Sequence, residues 1–156
     1  TALLIGSLPV GKLYAQQQAL VGMGDSIGEG VQAGDAAWQT QAYSYINLVN
    51  FQMGADLTLP FIRSGLFGIV GDVDGRVRVF PDQVNSNVAV SGATTNSLLY
   101  EGASAASSSE ISTEAELVLY PRMQTQIEYV ESAQPEMILS GSAIMMCFLR
   151  QPHSVI

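Results

Sequence analysis

Three short apolar runs, each closed by a glycine, constrain the fold of this chain more than any other feature of its sequence. The stretches ALVGMG, NVAVSG and MILSG end at Gly24, Gly92 and Gly141. Short apolar runs bounded by turn residues are typical of strands that are buried on both faces of a parallel sheet. Because helical patterns separate the runs, we predict an α/β fold. The carboxyl ends of the strands build the site in such sheets, so we expect all three glycine turns at one edge.

The segments between the runs predict helices and two longer irregular stretches. Helical spacing of apolar residues predicts one helix within residues 41–53, closed by a glycine, and another that ends near Leu98. A further helix is predicted over residues 121–133, with a proline at its start. Residues 55–83 are rich in glycine and proline and predict a long irregular excursion. Residues 103–116 are rich in serine and glutamate and predict a solvent-exposed loop.

Length and charge narrow the classes of function. The chain has 156 residues, 47% of them apolar, which is enough for one buried core and predicts one domain or part of one. A formal charge of −8 with six Lys and Arg argues against nucleic acid as a partner. The single cysteine, Cys147, excludes an intramolecular disulfide and a multi-cysteine zinc cluster. No run reaches the ~20 apolar residues of a membrane span.

The N-terminal stretch TALLIGSLPVGKLYAQQQ combines an apolar segment with a run of three glutamines. It begins with apolar residues and reaches Ala15 before three glutamines, loosely like the end of a secretory signal with a small residue at the cleavage point. This interpretation predicts a secreted or periplasmic protein. The alternative is an irregular N-terminal arm in which Pro9 and Gly11 interrupt regular structure. We therefore separate residues 1–18 from the domain that follows.

The stretch VGMGDSIGEG places Ser26 directly after the first apolar run. A serine hydroxyl is a useful nucleophile when it is exposed, rigidly held, next to a base, and facing donors for an oxyanion. A turn at a strand end meets the first two conditions. Backbone N–H groups at such turns suit an oxyanion because no side chain blocks approach, and those of Ser26 and Gly92 are the candidates. From spacing without further support, a polar turn is the simpler interpretation.

Two blocks, GMGDSIGEGV and NVAVSGATT, resemble the first and second motifs of the SGNH, or GDSL, family of ester hydrolases. The resemblance covers about residues 19–139, where YSYINLVNFQMG and GLFGIVGDVDGR are similar to bacterial lipase and acylhydrolase members. It implies a flavodoxin-like three-layer αβα fold and a small-molecule or lipid ester as substrate, with no cofactor and no metal. It also implies that Ser26 is the nucleophile and that the Gly92 amide lies in the oxyanion hole. Gly24 and Asp25 support the motif, and we expect the Asp25 side chain to brace the turn rather than act as the triad acid.

Two elements of the family pattern are missing from the sequence. The family has Gly-x-Asn-Asp after the third strand, whereas here Gly141 is followed by SAI. The family also has an Asp three residues before a His near the end of the domain, whereas here Arg150 stands three residues before His153. We interpret His153 as a histidine of an exposed tail rather than a base. The sequence therefore predicts at most trace esterase activity.

Residues 140–156 form an atypical tail for which we hypothesise a frameshift. Synonymous codons exist for residues 139–148 that, in a shifted frame, read VWIGNNDVL, which contains the missing motif. The codons of Met145 and Met146 force Asp-Val in that frame because methionine has one codon, whereas the other matches are permitted but not forced. On this hypothesis the chain is a C-terminally truncated SGNH domain. The nucleotide sequence is the test.

Two other classes of function stay open from the sequence. A non-catalytic lipid- or carbohydrate-binding module on the same fold fits the absence of a base, although a pure binder has no need of the turn at Ser26. A flavodoxin-like nucleotide or phosphate binder fits the glycine turns. However, neither Gly-Lys-Ser/Thr nor GxGxxG follows any of the runs. Labelling with a fluorophosphonate, compared with binding of a nucleotide panel, separates these classes.

Overall fold

The computed structural model describes residues 19–64, 73 and 75–141. The N-terminal arm and the tail from residue 142, which holds His153, lie outside the described residues, so the signal and frameshift hypotheses stay predictions. The strands are β1 (Leu20–Met23), β2 (Ile62–Arg63), β3 (Val77–Arg78) and β4 (Met137–Ser140). The helices are α1 (Ser26–Glu29), α2 (Trp38–Gln41), α3 (Tyr45–Met53), α4 (Thr95–Tyr100), α5 (Glu114–Leu119) and α6 (Gln126–Ala133), with a 3-10 turn at Ser108–Glu110.

β1 joins the three apolar runs of the sequence in one parallel arrangement. It pairs in parallel with β4 over its whole length. On its other side lies the second run, in which the N–H groups of Val88 and Val90 donate to the carbonyl oxygens of Gly22 and Gly24 at 2.7 and 3.0 Å. The chain is therefore mixed α/β, and the predicted parallel pairing is confirmed. β2 and β3 form a separate antiparallel pair within the long excursion.

Successive residues of β1 face opposite sides of the sheet, and a core lies on each side. Leu20 packs with Ile46 of α3 and with Leu139 of β4. Val21 and Met23 belong to the larger cluster, which contains side chains of α5 and α6. Helices thus cover both faces, which explains why β1 is continuously apolar instead of alternating with polar residues.

Local capping explains where the helices begin and end. The Ser44 hydroxyl accepts a hydrogen bond from the Asn47 N–H at 3.2 Å and starts α3. Gly54 ends the same helix in the left-handed region, with φ of 63°. The helix predicted over residues 41–53 is confirmed apart from its first turn, because the Ser44 cap separates α2 from α3. A helix also follows the second run, as predicted, in α4.

The prediction of a solvent-exposed loop over residues 103–116 is confirmed for residues 106–113, which are exposed or partly exposed, and is wrong at both ends of the segment. Ala103 is buried in the larger core cluster, and α5 begins inside the segment. Glu116 is also buried, and its carboxylate accepts hydrogen bonds from the Ser104 hydroxyl at 2.7 Å and the Ser112 N–H at 2.9 Å. Ser104 and Ser112 are themselves exposed, and their hydrogen bonds offset the cost of burying the Glu116 carboxylate.

The start predicted for the last helix, at Pro121, is also wrong. α6 begins at Gln126, after a capping box formed by Thr125 and Glu128. The Thr125 hydroxyl accepts from the Glu128 N–H at 3.2 Å, and the Glu128 carboxylate accepts from the Thr125 N–H at 2.8 Å. Met123, which lies within the predicted span, precedes the helix and is 66% exposed.

Candidate functional site

Ser26 lies at the junction of β1 and α1. Gly24 turns the chain there with φ of 121°, and a Cβ at this position would lie 2.6 Å from the backbone nitrogen of Gly141. Both the dihedral angle and the space therefore require glycine. Asp25 caps α1, because its Oδ1 accepts a hydrogen bond from the Ile27 N–H at 3.0 Å. The turn presents Ser26 as the first, partly exposed residue of the helix.

Gln126 holds the Gly24 peptide from the other side of the sheet. Its side-chain oxygen accepts from the Gly24 N–H at 2.8 Å, and its side-chain nitrogen donates to the Gly24 carbonyl at 3.1 Å. Gln126 is 1% exposed and is the first residue of α6. A buried amide that satisfies both groups of one residue fixes the orientation of that turn.

The turn that follows the second run carries the other candidate amide. Gly92 has φ of 79°, and a Cβ there would meet no atom within 4 Å, so its backbone angle rather than space favours glycine. Among the described residues, neither the Gly92 N–H nor the Ser26 N–H has a hydrogen-bond acceptor. The Ser26 hydroxyl is likewise without a partner in this part of the chain. Two open amides and one open hydroxyl can therefore serve a bound ligand.

Side chains and backbone of residues 87–91 hold α1, which is four residues long. The Asn87 side-chain nitrogen donates to the Gly28 carbonyl at 3.0 Å. The Oε2 atom of Glu29 accepts from the Ser91 N–H at 2.7 Å and also from the Ser91 hydroxyl. A Cβ on Gly28 would lie 2.9 Å from that of Ala89, so the two segments pack closely. The turn that contains Gly92 is consequently bonded to the helix that begins with Ser26.

Glu29 is influenced by two further charged residues, Arg76 and Glu114. Glu29 is fully buried, and its pKa is raised from 4.5 to about 8, chiefly by burial and further by the charge of Glu114. The hydrogen bonds from Ser91 and the charge of Arg76 act in the opposite direction. Arg76 is paired with Glu114 at 2.6 Å and donates to the Ala36 carbonyl at 3.1 Å. Glu29 is therefore neutral at pH 7 by this balance.

The third glycine turn packs against the first. The Gly141 N–H donates to the Met23 carbonyl at 3.0 Å, and a Cβ on Gly141 would lie 3.0 Å from Oδ1 of Asp25. The three turns thus follow neighbouring parallel segments at the same edge of the sheet. His153, the one histidine of the sequence, lies outside the described residues.

The sequence did not predict three buried polar residues that bind the site turns. Glu29 and Gln126 gave no signal, because glutamate and glutamine are usually exposed. Asn87 directly precedes an apolar run, and this position could have marked it as a buried polar residue that needs a partner. All three bind backbone groups of residues in or next to the turns.

Neither the described residues nor comparisons with known proteins assign a metal, a membrane helix or a family. Among the described residues, no group of three or more His, Cys, Asp and Glu side chains could hold a metal ion. No helix within the described ranges has the length and apolar character needed to cross a membrane. No protein-family model, curated protein or solved structure matches the chain. The function is therefore inferred from the residues themselves.

Proposed function

We propose that this chain carries the nucleophile turn and the oxyanion turn of a carboxylic-ester hydrolase of the SGNH type. The observation that carries the proposal is the bonded pair of turns. Ser26, with an open hydroxyl, begins α1, and the same helix is bound through Glu29 to Ser91, the neighbour of Gly92. The order of the sheet, with β1 between the second run and β4, supports a flavodoxin-like arrangement of this fold.

The chemistry uses the groups that the two turns leave open. The Ser26 oxygen attacks the carbonyl carbon of an ester while its proton passes to water or a buffer base of the solvent, which later returns a proton to the leaving alcohol. The carbonyl oxygen becomes an oxyanion, which accepts hydrogen bonds from the N–H groups of Ser26 and Gly92. Collapse of this intermediate expels the alcohol and leaves an acyl-serine, which water then cleaves. Ile27, next to the nucleophile and 62% exposed, offers an apolar surface to the ester.

We propose that hydrolysis by this chain is slow because its sequence lacks the Asp-x-x-His pattern that would supply a base to Ser26. The sequence contains one histidine, His153, and the residue three positions before it is Arg150 rather than an aspartate. Serine hydrolases that lose members of their triad keep on the order of 10³-fold acceleration over water, from the oxyanion donors and binding. The proposed substrates are small-molecule or lipid esters, whose cleavage at this rate is measurable with a good leaving group.

Hydrolysis of a p-nitrophenyl ester by the whole chain and its variants tests the proposal. The matched pair is Ser26→Ala and Ser109→Ala, since Ser109 is an exposed serine of the 3-10 turn. We expect a slow rate that Ser109→Ala preserves and that Ser26→Ala reduces to the background of the buffer. Mass spectrometry of the quenched reaction should find the acyl group on the peptide that contains Ser26.

Two results would contradict parts of the proposal. A slow rate that is unchanged in Ser26→Ala would remove Ser26 as the nucleophile. A rate typical of a complete esterase, abolished by Ser26→Ala, would show that the chain supplies a base and would refute the proposed low activity. Binding of a lipid or an oligosaccharide without any acyl transfer would instead support the non-catalytic module.

A further inference from the structure

Glu29 makes contacts that core packing does not require. Its side chain is fully buried, although a carboxyl group gains nothing from an apolar environment. Both hydrogen bonds to its carboxyl group come from Ser91, one from the backbone N–H at 2.7 Å and one from the hydroxyl. The same atom, Oε2, accepts both, whereas Oε1 has no hydrogen-bond partner among the described residues. One carboxyl group thus connects α1 to a single residue of the neighbouring turn.

The ends of this connection lie next to the two amides of the proposed oxyanion site. Ser26 and Glu29 are the first and last residues of α1, and Gly92 follows Ser91 directly. The N–H of Val90 donates to the Gly24 carbonyl at 3.0 Å, so backbone bonding ends just before Ser91. Beyond that point, the Glu29 carboxyl group continues the connection between the two segments.

We propose that Glu29 is a positioning residue that holds the Gly92 amide in register with Ser26 through its hydrogen bonds from Ser91. The role given to the Gly92 amide rests on the proposed function. The connection itself does not depend on catalysis, so it can be tested separately.

Burial and the surrounding charges explain why the pKa of Glu29 is raised. The charged groups that act on Glu29 are Arg76 and Glu114, and these two form an ion pair at 2.6 Å. Because Arg76 is neutralised by Glu114, it offers Glu29 little compensation for the loss of solvent. Burial then raises the pKa of Glu29 to about 8. Ionisation places a negative charge behind the turn and alters the hydrogen bonds that Ser91 donates.

Amide NMR spectra of the whole chain, recorded across the neutral and alkaline range, test the connection. We expect the amide resonances of Ser91 and Gly92 to shift together with a midpoint near the Glu29 pKa of about 8. Glu29→Gln should abolish this titration and keep the Ser91 amide bonded, because the glutamine oxygen is still an acceptor. The matched control is Glu131→Gln, an exposed glutamate of α6, which should leave the titration unchanged.

Ser91→Ala keeps the proposal testable if Glu29→Gln does not fold. This variant removes the hydroxyl donor and retains the N–H donor, so the Gly92 amide should still titrate, with a smaller change in chemical shift.

In the ester assay, Glu29→Ala should lower kcat about tenfold or more with little change in KM. Glu29→Gln should restore most of kcat without the alkaline transition.

The outcomes separate this proposal from the function on which it rests. A Gly92 amide that does not titrate in the unmodified chain, or that titrates identically in Glu29→Gln, would overturn the role of Glu29. Complete absence of ester hydrolysis with the predicted titration would overturn the proposed function and retain the connection between α1 and the turn.

Discussion

Replacing Glu29 by glutamine should remove a pH dependence from the stability of the whole fold. The pKa of this carboxyl is about 8 in the folded chain and 4.5 in its unperturbed state. Between those pH values the folded chain holds a proton that the unfolded chain has released. The free energy of unfolding therefore falls as pH rises from 4.5 towards about 8 and is level on either side.

The size of this loss follows from the pKa difference. One pKa unit corresponds to about 1.4 kcal/mol, so the rise from 4.5 to about 8 corresponds to at most about 5 kcal/mol. Glu29→Gln avoids this loss, and it gives up at most one hydrogen bond to Ser91, worth about 1 kcal/mol. The variant should thus be slightly less stable than the unmodified chain in acid and clearly more stable above pH 8. The two stability curves are expected to cross.

Urea unfolding followed by circular dichroism, repeated over this pH range, measures both curves. The urea midpoint of the unmodified chain should fall with pH, whereas that of Glu29→Gln should change much less, with the same m-value for both. The exposed Glu131→Gln serves as the control and should follow the unmodified chain. The reasoning is refuted if the stability of the unmodified chain does not fall over this range, or if Glu29→Gln falls with the same slope.

Three further substitutions probe other contacts of the site and the core. Gln126→Leu leaves the buried Gly24 N–H unpaired, whereas the Gly24 carbonyl keeps its hydrogen bond from the Val90 N–H, so the free energy of unfolding should fall by about 1–3 kcal/mol in urea unfolding, with the exposed Gln52→Leu as control. Gly24→Ala should lower the melting temperature more than Gly54→Ala, because both have positive φ but only the first meets a backbone atom. The pKa of Glu116 is lowered to about 2, first by the backbone hydrogen bond from Ser112, so its stabilisation should disappear as pH falls from 4.5 towards 2. Glu116→Gln should flatten that part of the acid unfolding curve.

The strands and the turns after them could be predicted because their signals are local. A continuous apolar run followed by glycine has few structural solutions, and β1 and β4 follow that pattern directly. The helix α3 was equally accessible, since Gly54 ends it in the conformation that favours glycine. These elements also place Ser26 at the carboxyl edge of the sheet, so the position of the candidate nucleophile followed from the sequence.

The residues that hold the site in place could not be predicted because their partners are distant in sequence. Gln126 binds Gly24 across 102 positions, and Ser91 binds Glu29 across 62. Periodicity contains no information about such pairs. The same limitation explains the error at the end of residues 103–116, where hydrogen bonds from Ser104 and Ser112 allow the Glu116 carboxylate to be buried.

Buried polar side chains fix the geometry of the site turns, and this geometry does not depend on whether the site is catalytically active. Asn87, Glu29 and Gln126 come from three different segments, and each binds backbone groups in the turns or in α1. Each would destabilise the core if its partner were lost, so the fold is stable only while the turns keep their arrangement. The hydroxyl and amide groups that the turns leave open are therefore held in place without any contribution from a base. The proposed low activity of the chain should leave this arrangement intact, and the unmodified chain should show it in the NMR titration even where ester hydrolysis is very slow.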